Sequence, residues 1–147
     1  MAQVERWVDA TPARVFEVLS DGWLYPLWVV GTTHMRAVEP TWPKVGSRLH
    51  HAVGAWPAML RDESEVLACE PGRHLVLEAR GRPFGTARVD LRLTPERSGT
   101  RIVLAEEPSS GPGKWAHNPL LEWVLTQRLT ESIGRLAALV ERPGSPG

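Results

Sequence analysis

Apolar positions follow two periods along this chain, and the changes between them mark its elements. Within Gln3–Asp9, Val4, Trp7 and Val8 sit among Glu5, Arg6 and Asp9, which predicts a short opening strand. Thr11-Pro12 comes next. Threonine can accept from the free amides of a first helical turn, and proline suits the first position because the donor it lacks would be idle there. Val15, Phe16, Val18 and Leu19 then form an apolar stripe, so a first helix is predicted over about Pro12–Ser20. Asp21-Gly22 is expected to stop it with a residue free to take positive φ. Trp23–Gly31 is too apolar for a solvated loop and Pro26 interrupts any long helix, so a second short helix or turn on the sheet is predicted.

From there the period is two. Strands are predicted at about His34–Glu39, Ser47–Val53, Met59–Ala68, His74–Arg80, Gly85–Leu93 and Thr100–Glu107. Pro40, Pro43–Gly46, Pro71-Gly72, Arg82-Pro83 and Ser98-Gly99 punctuate them at the spacing of a hairpin-connected antiparallel meander. The period changes once more after the Ser109–Gly113 loop. Behind Asn118-Pro119, a cap and a first-position proline, Leu121, Leu125, Leu129, Ser132, Ile133, Leu136 and Val140 recur at helical spacing. This helix is expected to run to about Glu141 and, at ~1.5 Å per residue, to exceed ~30 Å.

The order predicts an α+β helix-grip fold. A seven-stranded curved antiparallel sheet wraps a long C-terminal helix, with two short helices between strands 1 and 2. Residues 1–142 are expected to form one domain and residues 143–147 a disordered tail. A straight helix cannot touch every strand of a twisted sheet, so a cavity between the two is expected.

Composition narrows the classes of function. At 42% hydrophobic and 23% charged, the chain has ordinary globular usage. Seventeen basic residues balance seventeen acidic ones with no basic stripe, which argues against nucleic acid as a partner. No apolar run reaches the ~20 residues of a membrane span, and the first residues carry no export signal, so a cytoplasmic location is expected. Cys69 is the single cysteine; without a cationic neighbour it reads as a packed thiol. Neither zinc spacing, a nucleophile elbow nor a phosphate loop appears, and no cofactor is expected. Gly111–Ala116 nearly matches a dinucleotide loop, but no strand follows the helix to complete a βαβ unit, so a rim loop over the cavity mouth is expected instead.

Strand alternation assigns the inward side chains. Leu49, His51 and Val53 share a face, as do Leu60, Asp62, Ser64 and Val66. So do Ala87, Val89, Leu91 and Leu93, and so do Ile102, Leu104 and Glu106. Adjacent His50 and His51 face opposite ways and cannot share one metal from a regular strand. The expected wall is apolar with few polar points, as ligand pockets commonly are. Its candidate ligand-binding residues are Trp28, Leu49, His51, Val53, Trp56, Val89, Leu91, Leu104, Glu106, Leu125 and Leu129. Of the seven tryptophans, Trp28 and Trp56 are placed beside the mouth; Trp23, Trp42, Trp115 and Trp123 are candidates to border it, with the core-plug reading preferred for Trp7 and Trp23. His51 beside a carboxylate, Glu106 or Asp62, could move protons as a general base, which makes these three the candidate catalytic residues. Arg80 and Arg82 read as members of a solvated turn.

Three stretches carry a family resemblance: Val4-Glu5-Arg6 with Ala10–Asp21, Pro71–Leu75 with Gly99–Ile102, and Arg128–Leu136. They resemble the START and pollen-allergen superfamily called SRPBCC, specifically its polyketide cyclase/dehydrase-like branch. Tyr25–Gly31 with Leu49–Pro57 looks like a bacterial subgroup of that branch without an assigned reaction. The Arg-Asn pair common in the closing motif is Arg128-Leu129 here, so a role carried by that asparagine does not transfer. The resemblance implies a monomer or homodimer that binds a hydrophobic or aromatic small molecule, lipid- or polyketide-like, in the cavity. It also implies two alternatives: a cyclase or dehydratase using the cavity histidine with a carboxylate, and a protein-interaction module like the chaperone-activating members. The last would need a large exposed apolar patch.

Overall fold

The computed structural model describes residues 2–29, 32–53, 60–81, 85–110 and 119–142, with the backbone alone at 32–36, 51–53, 60–62, 81, 85, 110 and 121. The elements run in the expected order: β1 (Ala2–Val8), α1 (Pro12–Leu19), a 3₁₀ turn (Gly22–Leu24), α2 (Tyr25–Trp28), β2 (Thr32–Val38), β3 (Arg48–Val53), β4 (Leu60–Glu70), β5 (His74–Gly81), β6 (Gly85–Glu96), β7 (Gly99–Ser110) and α3 (Pro119–Val140). All seven strands join one antiparallel sheet in the order β1-β7-β6-β5-β4-β3-β2. The meander is thus unbroken from β2 to β7, and β1 closes on β7.

Thr11 caps α1 as its chemistry requires, its hydroxyl accepting from the Arg14 amide at 3.2 Å. The end of α1 differs from expectation. Gly22 has no positive φ; its backbone starts the 3₁₀ turn, which the Asp21 carboxylate caps through the Trp23 amide at 3.1 Å. Glycine is needed at this point for space, since a Cβ would lie 2.6 Å from Leu49 Cδ2 and 2.8 Å from Val38 Cγ1. The β6–β7 hairpin departs in the same way. Arg97 takes the positive φ of 57°, while Gly99 lies so close to β1 that a Cβ would overlap the Val8 carbonyl.

The core is the inner face of the sheet with the apolar stripe of α3. Leu49, Val66, Leu75, Leu77, Leu91, Ile102 and Leu104 are buried from the sheet; Leu129, Ile133, Leu136, Ala137 and Val140 are buried from α3. A bulge between Val66 and Ala68 brings Cys69 opposite Leu75, so this half-buried thiol joins an inner row with Leu91, Leu104 and Val4. Burial pushes the thiol above its usual pKa.

The helix does not lie across the whole sheet. It packs chiefly on β1, β7, α1 and α2. Its C-terminal end is fastened there: the Arg14 guanidinium reaches the Val140 and Leu139 carbonyls at 3.4 and 3.5 Å, and the Asp9 amide donates to the Glu141 carboxylate at 3.0 Å. A cation at that end also offsets the negative pole of the helix.

Candidate functional site

Two inner rows of side chains run across the sheet toward its open end. One passes Leu49, Ser64, Ala79 and Ala87; the next passes Val66, Leu77, Val89, Glu106 and Ala2. Burial grades along the strands. Leu75, Leu77, Leu91 and Leu93 are buried, whereas Ala79, Ala87 and Val89 on the same face are half-exposed. The antiparallel order brings Val53, Leu60, Gly81, Gly85 and Ser110, all strand ends, to this end of the sheet. Leu125, on α3 toward the same end, is half-buried too.

Four polar side chains gather around this region. Glu106 on β7 is 5% exposed and accepts a charge-assisted hydrogen bond from the Arg128 guanidinium of α3. The Arg128 side chain is 36% exposed, and among the described residues Glu106 is its one hydrogen-bond partner. Guanidinium carries five N–H donors, so among the described residues most of them have no side-chain acceptor. Tyr25 on α2, 4% exposed, meets the buried Ser64 hydroxyl on β4 at 3.3 Å. Burial lifts the Tyr25 phenol above its ordinary pKa of 10.0; the Ser64 hydrogen bond and the Arg128 charge pull against the rise, and Glu106 adds to it. The phenol is therefore a neutral group across the physiological range. Tyr25 is held in turn by Trp28, whose ring stands edge-on to it at 5.5 Å between centroids and 68° between planes.

The expected site residues separate into those this geometry gathers and those it does not. Leu49, Leu91, Leu104 and Leu129 are buried on the inner side, Trp28 is buried on α2, and Val89 and Leu125 are half-buried toward the open end. Trp56, Asn118 and the Gly111–Ala116 segment with Trp115 lie outside the described residues, as do the side chains of His51, Val53, Asp62 and Leu121. The backbone register makes His51 and Asp62 direct partners across β3 and β4. Glu106 is four strands from β3, each step being ~4.8 Å. It is also bonded to Arg128.

Other expectations need revision. Trp23 is 58% exposed and plugs no core. Trp7 sits half-buried on the outer face, donating to the Glu96 carbonyl at 2.9 Å. Trp42 packs on the core and donates to the Leu19 carbonyl at 3.1 Å, while Trp123 is exposed. On the outer face Arg48, His50, Glu63, Glu65 and Arg80 form a chain of ion pairs; this network, solvated as expected, takes in Arg80, 3.1 Å from Glu63. That face also carries a depression of about 360 Å³ where small Val103 and Ala105 lie between Gln3, Arg88, Arg92 and Glu107. Its Asp90 bonds His74 and Arg92, at 2.9 and 3.3 Å, and charged and polar side chains rim its small apolar floor. The inner face is apolar with few polar groups, whereas the outer one is laced with charged side chains.

Sequence reasoning missed Tyr25 and Arg128. Ser132 was the available signal for Arg128: it stands one turn along, at i+4, already a polar member of the buried stripe. Tyr25, the only tyrosine, meets Ser64 at a separation of 39 residues that no local pattern encodes.

A curved sheet gripping one long helix, with an inner face sealed at one end and half-open at the other, defines a helix-grip protein. The sequence matches the family described as polyketide cyclase / dehydrase and lipid transport over residues 1–141, and the chain belongs to that family. Protein MLL2253 from Mesorhizobium loti superposes with a TM-score of 0.72 at 21% identity, covering 98% of each chain. Protein CV1439 from Chromobacterium violaceum gives 0.69 at 20%, covering 96% of this chain and 97% of that one. Ara h 8.0201 gives 0.68 at 12%, covering 94% and 95%. At such identities these likenesses speak for the fold alone. No curated protein matches the sequence.

Proposed function

We propose that this protein binds a hydrophobic or aromatic small molecule, lipid- or polyketide-like, between the sheet and the first half of α3. The carrying observation is the burial gradient on a single apolar face: leucines seal one end, and at the other Ala79, Ala87, Val89 and Leu125 stay half-exposed beside four polar groups. The small side chains of Ala79 and Ala87 would leave room above the leucines, and the sparse polar groups would fix orientation. The family's description, which joins lipid transport with polyketide chemistry, supports the same reading. In it Leu49, Leu91, Leu104 and Leu129 form the floor, Trp28 and Leu125 the walls, and His51, Val53 and Trp56 the side toward β3.

Nile red, an uncharged dye that brightens in apolar surroundings, tests the proposal directly. Saturable binding at one site per chain is expected, together with a small molecule retained in native mass spectra of protein from its own host. Absence of both would end the reading.

One observation favours a second reading, the cyclase or dehydratase. His51 faces Asp62 in the β3–β4 register, so the general base would be oriented by Asp62 and not by Glu106. His51→Ala should then abolish turnover of a bound poly-β-ketone while leaving its binding in place. Loss of binding without any turnover to lose would remove it.

A further inference from the structure

Resting on that binding site, we infer that its polar anchor selects ligands with an uncharged carbonyl and rejects carboxylates. The reason is charge balance. Arg128 would ordinarily mark a place for an anion, since guanidinium matches carboxylate geometry. Here its charge is already matched by Glu106, which is buried and within hydrogen-bond contact of it. The pair is neutral as a unit, yet Arg128 is 36% exposed and Glu106 is its one hydrogen-bond partner among the described residues, which leaves N–H donors for a ligand. Tyr25 and Ser64, the other polar groups among the described side chains beside the pair, bring no second cation.

A ketone or ester oxygen accepts one of those N–H groups and adds no charge. A carboxylate accepts it equally well but puts a second negative charge beside Glu106, in a site where water screens poorly. Like charges brought together out of water are strongly disfavoured. The arrangement is therefore a donor site with its anion built in. It would suit an aromatic ketone, a lactone or a carbonyl-rich chain, and would exclude the free fatty or aromatic acids of the same shape.

The test uses the full chain and a matched pair of probes, methyl naphthyl ketone and naphthoate, with affinities from calorimetry. The wild-type protein should prefer the ketone at least ~10-fold. Desolvation of the anion alone could produce that preference, so the deciding variant is Glu106→Gln. With the built-in anion removed, naphthoate should gain ~10-fold or more while the ketone changes less than ~3-fold. Should that variant not fold, the doubly uncharged Glu106→Gln/Arg128→Met chain tests the donor itself. There, ketone affinity should fall to that of ethylnaphthalene, which has the shape without the carbonyl. Equal or tighter wild-type binding of naphthoate would overturn the inference, as would an unchanged preference in Glu106→Gln or unchanged ketone binding in the double variant. If neither probe binds while Nile red does, the carbonyl anchor is wrong and the cavity stands. If Nile red fails as well, both fall.

Discussion

Arg128→Met separates the stability of the inner polar pair from its function. Methionine keeps most of the apolar stem and removes the guanidinium, so the change strands Glu106 at 5% exposure without its cation. Breaking a fully buried pair this way costs about 3–5 kcal/mol. Arg128 is 36% exposed, so water reaches part of the site and relieves part of the loss, which brings the expectation to about 2 kcal/mol. For a chain of this length that lowers the melting temperature by about 4–8 °C. Glu106→Gln strands the arginine instead, but Arg128 is the more exposed partner, so about 1 kcal/mol is expected. The double variant Glu106→Gln/Arg128→Met leaves no charge to strand and should regain most of the loss, giving a coupling of about 1–2 kcal/mol. Urea unfolding of the four proteins measures this, with equal slopes confirming that the unfolded states are comparable. Strictly additive losses, with coupling under about 0.5 kcal/mol, would refute the claim that these two side chains act as one unit.

Tyr25 provides a spectroscopic prediction because the chain has no other tyrosine. Its phenol pKa is raised in the folded state, so it contributes stability that is complete below the ordinary value of 10.0 and is lost as the pH rises through the folded value. Tyrosinate absorbance should therefore appear above pH 10.0 and coincide with alkaline unfolding; titration at or below 10.0 in the folded protein would contradict the burial argument. Gly99→Ala should destabilise more than Gly22→Ala in thermal unfolding. A Cβ at 99 meets a backbone carbonyl and lies 2.7 Å from the Trp7 ring, whereas one at 22 meets movable side-chain tips. About 1–3 kcal/mol is expected at 22 and more at 99, and the reverse order would be inconsistent with these contacts. Ala87→Trp, filling the proposed hollow, should weaken Nile red binding ~10-fold or more with the protein still folded. Unchanged affinity would place the dye elsewhere.

Where each side chain points was largely readable from the sequence, because strand alternation is a local property. The inward positions of Leu49, Ser64, Val89, Leu91, Leu104 and Glu106 all follow from period two. Two kinds of information were not local. Glycines at 22 and 99 looked like turn residues, yet both are required by the approach of segments distant in sequence, Leu49 to one and Val8 to the other. The polar pairs were equally hidden. Glu106 was visible as an inward acid, but its partner lay on a helix outside the apolar stripe that the spacing picked out, and Tyr25 found Ser64 only through the packing of α2 over the sheet.

That hidden pair bears on why the open end exists at all. A chain shaped by stability alone would place leucine or methionine at 128, continuing the stripe of Leu125 and Leu129, and would pair it with an apolar residue at 106. Replacing buried ion pairs by packed apolar groups is commonly neutral or stabilising, so the pair is a poor device for holding helix to sheet. Its position argues for another purpose. Among the described residues it stands where the buried leucines end and the half-exposed alanines begin, beside the proposed binding site. A site that violates the rule its neighbours obey is where function is most economically sought. In the proposed reading an apolar hollow alone would admit many molecules of suitable width, whereas a neutralised guanidinium at its edge would make the outcome depend on what such a molecule carries at its polar end.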